Sequence, residues 1–221
     1  MIIETAHAKI NFTLSVGSKR ADGYHSIDSL MHSISLSDRI TLTKAEAITL
    51  SVTEGVAPLG RENLMVRAAE RFFEEIGLSG GVSMTLAKRI PSEAGMGGGS
   101  SDAAAVLRGL ARLYKTDLSL ATLARWGASL GADIPFCVMA GAARCQGIGE
   151  KLTPLAAWAH LPLVILRPPV SVSTGKAYQL LDHMGKRPTD TTPLASKRFG
   201  IDRRGHSLVR SRMISKQVSF L

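Results

Sequence analysis

The chain predicts an α/β (α+β) protein, a sheet covered by helices, and three stretches carry that reading. Val82, Met84 and Leu86 alternate with Ser83, Thr85 and Ala87 as in a strand with one buried face. A glycine-rich run follows at once, Pro91-Ser-Glu-Ala-Gly-Met-Gly-Gly-Gly-Ser-Ser101. Beyond it Ala103, Val106, Leu107, Leu110 and Tyr114 share one helical face, with Ser101 and Asp102 as candidate caps. At 221 residues, 45% apolar and 20% charged, the chain can bury a real core as one large domain or two small ones.

In chain order, Ile10 to Val16 reads as the first strand, with Ile10, Phe12, Leu14 and Val16 on one side. Lys9, Asn11, Thr13 and Ser15 lie on the other, so Lys9 and Asn11 share a face. On these residues alone, a half-exposed strand with a solvated polar face is the better account. Arg20-Ala-Asp-Gly-Tyr-His25 is a turn by its Asp-Gly, and Ile40–Leu42 and Ile48–Val52 are further strands. A helix spans residues 62 to 77, with Met65, Ala69, Phe72 and Ile76 inward and Gly77 as its stop. Residues 117 to 130 give another, with Leu120, Leu123, Ala124, Gly127 and Leu130 inward and Gly131 ending it. Because Pro135 disfavours α geometry at Ile134, Asp133 is expected at a sharp helix exit before an apolar strand, Phe136–Val138. A carboxylate there opposes the helix dipole; an exposed turn Asp is one reading, and if it is partly buried a nearby cation is expected. Leu163–Leu166 reads as a short buried strand, followed by a brief helix to Asp182.

The glycine run reads as a phosphate cradle. Four glycines within Gly95–Gly99 let a ligand approach the main chain, and the loop and helix N-terminus bring N–H groups and a positive dipole end to one point. No Lys follows the last glycine, so it is not a P-loop, and it is not G-x-G-x-x-G either.

Composition excludes several classes. The N-terminus has no basic segment ahead of an apolar run, and the longest apolar stretch, Leu155 to Leu166, is broken by His160 and Pro162. No signal peptide or membrane span is expected, and a cytoplasmic protein is. Cys137 and Cys145 lack C-x-x-C spacing, and no H-x-x-x-H pair occurs, so neither disulfides nor a zinc site are indicated. The net charge of +9 sits mostly in the tail: residues 186–221 hold nine basic and two acidic side chains. Such a tail suits a nucleic-acid arm, but Phe199 and Phe220 are its only aromatics, which argues against single-strand binding.

Ala8-Lys-Ile-Asn11, Arg20 to His25, Pro91 to Asp102 and Leu130-Gly-Ala-Asp-Ile-Pro135 together resemble the GHMP kinase superfamily. Within it they are similar to the branch that phosphorylates a cytidine-diphosphate-linked methylerythritol in the non-mevalonate isoprenoid pathway. The resemblance covers roughly residues 5 to 182. It implies a two-domain fold: an N-terminal ATP-binding domain over 1–155, then a shortened ferredoxin-like domain beginning at 156–185. The reaction it implies is γ-phosphate transfer from ATP, with Mg²⁺, to the 2-hydroxyl of the methylerythritol portion.

By that resemblance Asp133 is the catalytic base and Lys9 its cationic partner. Pro91, Ser92, Glu93, Ala94, Gly95, Met96, Gly97, Gly98, Gly99, Ser100 and Ser101 hold the ATP phosphates. Asn11, Tyr24, His25, Thr174 and Tyr178 bind the substrate, with Tyr24 and His25 meeting the cytosine and Tyr178 able to stack on it. Ser100 is a candidate for touching the magnesium. Two departures from the family stand out. Glu93 places a negative charge within the phosphate loop, and the family's C-terminal glycine-rich loop is missing, since only Gly200 and Gly205 follow Gly185. The chain is therefore expected to leave the family pattern near residue 186, by truncation and a shifted frame, with an irregular basic tail over 186–221. Homoserine-type or mevalonate-type kinases, an impaired remnant, and nucleic-acid binding through the tail are the alternatives.

Overall fold

A computed structural model describes residues 1–158, 161–166 and 174–183. Its elements are β1 (Ile2–Lys19), β2 (His25–Ala45), β3 (Thr49–Glu54), α1 (Leu64–Ile76), β4 (Gly81–Ala87) and α2 (Gly98–Leu113). They continue with α3 (Leu120–Ala128), α4 (Ile134–Met139), β5 (Ala142–Gly147), β6 (Lys151–Leu155) and α5 (Thr174–His183).

The sheet is built around β2. Antiparallel β1 pairs with it nearly end to end. On β2's other edge, residues 27–32 pair with β5 and residues 39–45 with β4. β3 joins β4 in parallel across the α1 crossover, and β6 closes the far side against β5. Helices α1 to α4 bury their apolar faces on the sheet: Ile40, Leu42, Met84 and Leu86 meet Phe72, Leu107, Leu110 and Phe136 in one core. β6, the last strand among the described residues, ends at Leu155.

Helix boundaries follow local chemistry. Asn63 caps α1 by accepting from the N–H of Met65, and Gly77 stops it in the left-handed region at φ 62°. Met65, Ala69 and Phe72 are buried as expected. In α3 the inward residues are Leu123, Trp126 and Gly127, while Leu120, expected inward, is exposed at the first helical position. α2 starts at Gly98, with Gly97 as its cap residue. Ser101 and Asp102 are therefore buried within the helix rather than capping it, because the glycine backbone turns into the helix three residues early.

Three further expectations are corrected. β1 is longer than Ile10–Val16, and beyond Asn11 its buried side is the polar one: Thr13 is buried and Leu14 exposed. Lys9 is buried on that same side, and the buried set changes from Glu4, Ala6 and Ala8 to Lys9 and Thr13 across the register shift between His7 and Lys9, as at a bulge. Phe136–Val138 is not a strand but the middle of α4, since a proline fits the first turn of a helix, where its missing N–H has no partner to lose. Leu163–Leu166 forms no strand and is exposed, because a continuous apolar run is buried only where a second layer covers it, and here the sheet ends at β6. The basic tail and residues 170–173 lie outside the described residues.

α2 lies close on the sheet at Gly109, where an added Cβ would stand 2.1 Å from Leu42 Cδ1 and 3.0 Å from Glu4 Cγ. Gly109→Ala is expected to destabilise the fold by about 1–3 kcal/mol through overpacking, outweighing the roughly 1 kcal/mol gained in helix propensity. Urea denaturation measures the balance, and a more stable variant would show that the contact has room to relax.

Candidate active site

The glycine run folds as a tight cradle between β4 and α2. Gly95 and Gly97 take positive φ, 69° and 65°, to make the turn. Met96 between them is buried with Ala8 and Ile90 in a small cluster under the loop. β1 holds the loop from below: the Lys9 N–H donates to Met96 O at 3.0 Å, and Ser101 Oγ donates to His7 O at 2.6 Å. The first bond inside α2 runs from Ser101 N–H to Gly97 O, so the N–H groups of Gly98, Gly99 and Ser100 remain at the open end of the helix. Pro91, Ala94 and Ser100 are half-buried around this concavity, while Ser92 is exposed. Glu93 is exposed too, at φ 55°, so solvent screens the charge expected to repel an anion.

Lys9 passes from the loop's floor to its mouth. A Cβ on Gly97 would come within 3.0 Å of Lys9 Cγ, so only glycine leaves room for the lysine side chain. Its Nζ donates to Asn11 Oδ1 at 2.7 Å and lies 3.6 Å from Asp133 Oδ2. Asn11 Nδ2 in turn donates to Ser29 Oγ at 2.6 Å, and Ser29 Oγ to Thr13 O at 2.6 Å. This chain of bonds fixes the buried ammonium while leaving the Asp133 side chain 32% exposed and open to a ligand. Asp133 is the N-cap residue of α4, not the end of α3, so the helix dipole favours its negative charge instead of opposing it. The expected cation is present all the same.

A second group gathers at the other end of β1 and β2. The Arg20–Tyr24 turn is closed by Arg20 N–H to Tyr24 O, 2.7 Å, and by Gly23. His25 is buried and Tyr24 exposed, as neighbours on opposite faces must be. The His25 ring stacks on Tyr178 of α5, centroids 5.0 Å apart and planes 16° apart. His25 Nε2 meets Asp182 Oδ1 at 2.8 Å, which puts a proton on Nε2. Burial, with Asp133 nearby, raises the Tyr178 phenol above its ordinary value, which relates this aromatic pair to the Lys9–Asp133 pair. Thr174 is the first residue of α5, and its side chain lies outside the described residues.

Sequence reasoning missed two features. Asp182 carried no signal beyond its place in a short helix. Lys88, Asp38 and Asp102 form a buried ionic triad behind the cradle: Lys88 Nζ bonds Asp38 Oδ2 and lies 2.8 Å from Asp102 Oδ2. Asp38 Oδ1 also accepts from the N–H groups of Arg89 and Ile90. Three charges 14 to 64 residues apart gave no pattern, although the helical face of Asp102 runs with Val106 and Gly109 into the core. Burial pushes the Asp102 carboxyl up to about 7, against the opposing pull of Lys88. Cys137 and Cys145 are pushed up to about 12 by burial, which leaves both thiols protonated and unreactive. Among the described residues no three His, Cys, Asp or Glu side chains converge as a metal site, and no helix is long and apolar enough to cross a membrane.

Residues 63–141 match the family model described as GHMP kinases N terminal domain. A 4-diphosphocytidyl-2-C-methyl-D-erythritol kinase from Clostridium kluyveri is 42% identical over 178 residues, 80% of this chain and 64% of the relative. The chain thus spans a little under two thirds of that protein. A crystal structure of 4-(cytidine 5'-diphospho)-2C-methyl-D-erythritol kinase superposes with a TM-score of 0.70 at 39% identity, over 86% of this chain and 67% of that one. Homoserine kinase from Cytophaga hutchinsonii, 16% identical with a TM-score of 0.59 over 88% of this chain and 63% of that one, shares the fold.

The triad makes stability depend on pH. The ordinary value for Asp102 is 3.8, and its folded value is about 7. Below the first, both folded and unfolded chains hold the proton and nothing is lost. As pH rises toward the second, only the unfolded chain releases it, so stability falls across this window and levels off above it. Asp102→Asn is expected to remove that slope and to gain on the wild type by on the order of a few kcal/mol at pH 8 relative to pH 4. Chemical denaturation at pH 4, 6 and 8 measures this, and parallel profiles for the two chains would contradict it.

Proposed function

This chain belongs to the GHMP kinase family, and we propose that it transfers the γ-phosphate of ATP to the 2-hydroxyl of 4-diphosphocytidyl-2-C-methyl-D-erythritol. The observation that carries the proposal is the Lys9–Asp133 pair at 3.6 Å, with Lys9 packed along Gly97 at the mouth of the phosphate cradle. A proton acceptor and a fixed cation thus stand beside a site of N–H donors. Phosphoryl transfer to an alcohol needs that combination.

The roles follow from chemistry. The loop Pro91–Ser101 and the N-terminus of α2 hold the triphosphate. The acceptor hydroxyl lies in line with the γ-phosphorus, and Asp133 takes its proton as the new O–P bond forms and the bridge to ADP breaks. Lys9 pairs with Asp133 and offsets charge on the transferring group, while Asn11 fixes the direction of the ammonium. Mg²⁺ would arrive with the nucleotide, held mainly through its phosphates, with Ser100 as the candidate protein ligand.

The cytidine would bind at Tyr24, His25 and Tyr178, with Thr174 nearby, where aromatic faces and an oriented imidazole N–H already meet. Stacking on an aromatic side chain contributes about 1–3 kcal/mol per base, and unpaired polar groups would disfavour the wrong base. The second domain is proposed to begin after Leu155. α5 lies within it, and its Tyr178 stacks on His25 at the cytidine end. Homoserine or mevalonate as acceptor is the competing assignment, since kinases of the former kind share the fold.

The test is release of ADP from ATP and Mg²⁺ with the cytidine compound, beside homoserine and mevalonate. Turnover with the cytidine compound alone is expected, and turnover with another alcohol alone would reassign the substrate. Asp133→Asn should lower kcat by about 10²–10⁴-fold with ATP binding retained, and wild-type kcat in that variant would remove Asp133 from the chemistry. Tyr178→Ala should raise KM for the cytidine substrate by about 5- to 150-fold and leave KM for ATP unchanged. An equal rise in both would place Tyr178 outside the cytidine pocket.

A further inference from the structure

The floor of the phosphate cradle is charged. A Cβ on Gly98, the first residue of α2, would stand 2.9 Å from Lys88 Nζ, so the ammonium lies directly behind the backbone that faces the ligand. Lys88, Asp38 and Asp102 are each less than a tenth exposed. Asp38 joins β2 to the strand end at Arg89 and Ile90 through two backbone N–H bonds, and Asp102 reaches the same ammonium from α2. The triad therefore ties together the two ends of the loop and the central strand. Asp102 Oδ1 is buried without a hydrogen-bond partner, an arrangement that costs less for a neutral carboxyl than for a carboxylate.

We propose that Lys88 is a positioning residue of the nucleotide site, an ammonium set behind Gly98 whose pull on a bound polyphosphate is set by Asp38 and Asp102. The proposal rests on the ATP-binding reading above. When Asp38 and Asp102 are both ionised, the triad carries one net negative charge beneath an anion site. With Asp102 protonated or replaced by a neutral amide, the triad is neutral and no longer opposes the polyphosphate. The charged groups facing Asp102 are Lys88 at the end of β4 and Asp38 on β2, and burial is the larger influence on its proton.

Calorimetric titration of the full chain with ATP and Mg²⁺, at pH 6 to 8.5, tests this. Asp102→Asn leaves Lys88 paired with Asp38 and is the primary variant. It should bind ATP about threefold or more tightly than the wild type at pH 8, with the advantage vanishing toward pH 6. Titration of the nucleotide's own phosphate is common to both proteins and cancels in the comparison. Lys88→Met alone would strand two buried carboxylates, so the ammonium is removed in the pair Lys88→Met with Asp102→Asn. That double variant should bind about tenfold more weakly than Asp102→Asn, with both melting cooperatively. If wild type and Asp102→Asn share one affinity and one pH profile, or if the double variant binds as Asp102→Asn does, the proposal falls and the kinase reading stands. A wild-type chain that binds no ATP would remove both.

Discussion

The structure turns on what Lys9 does with its two ends. Its backbone N–H holds the carbonyl of Met96 and so fixes the height of the glycine loop above the sheet. Its side chain runs past Gly97 and ends beside Asp133. One residue thus sets both the floor of the anion site and the partner of the carboxylate. Burying a lysine ammonium is costly unless its donors are satisfied, and the Asn11–Ser29–Thr13 relay meets that requirement by turning the polar side of β1 and β2 inward. The register shift between His7 and Lys9 belongs to the same arrangement: it changes the buried set of β1 from Glu4, Ala6 and Ala8 to Lys9 and Thr13.

Much of this was legible in the sequence, for identifiable reasons. Strand, loop and helix around residue 95 follow from alternation, glycine density and 3.6-residue spacing, all local signals. Lys9 and Asn11 could be placed on one face because period 2 leaves no choice, and Asp133 could be marked as needing a cation. Its helical context was read with the wrong polarity, because proline opens helices as well as ending them and nothing in Ala132-Asp-Ile-Pro135 decides between the two. Leu163–Leu166 shows the same limit: an apolar run states a need for burial but not the surface that meets it. The Lys88–Asp38–Asp102 triad was beyond reach, since it depends on three elements converging and leaves no periodic trace. Tyr24 and His25 were singled out by their family pattern, while the contact of His25 with Asp182 came only from the packing of α5.

The two functional groups are related through β2. At residues 27–32 it pairs with β5, and its Ser29 supports the Lys9 relay; its first residue, His25, meets α5. A single 21-residue strand therefore spans the aromatic pair, the polar relay and, at Asp38, the charged floor of the cradle. Strands are stiff, so the spacing of the three is held by the backbone and not by loops. That division suits a reaction between two bound ligands, where the reacting atoms must be brought within about 3–3.5 Å of each other.

Charge is distributed along that strand in a consistent sense. At the mouth of the cradle the cation is nearly buried and the anion is open, so Lys9 is fixed while Asp133 faces outward. At the floor the balance is reversed: two carboxylates flank one ammonium in a place that water does not reach, and burial raises one of them to about 7. A carboxyl that releases its proton near neutral pH behind an anion site must oppose the anion when ionised and tolerate it when neutral. On the reading proposed above, the strength with which this loop holds a polyphosphate would be tied to a proton on the fifth residue of the helix, at a position where no substrate need touch it.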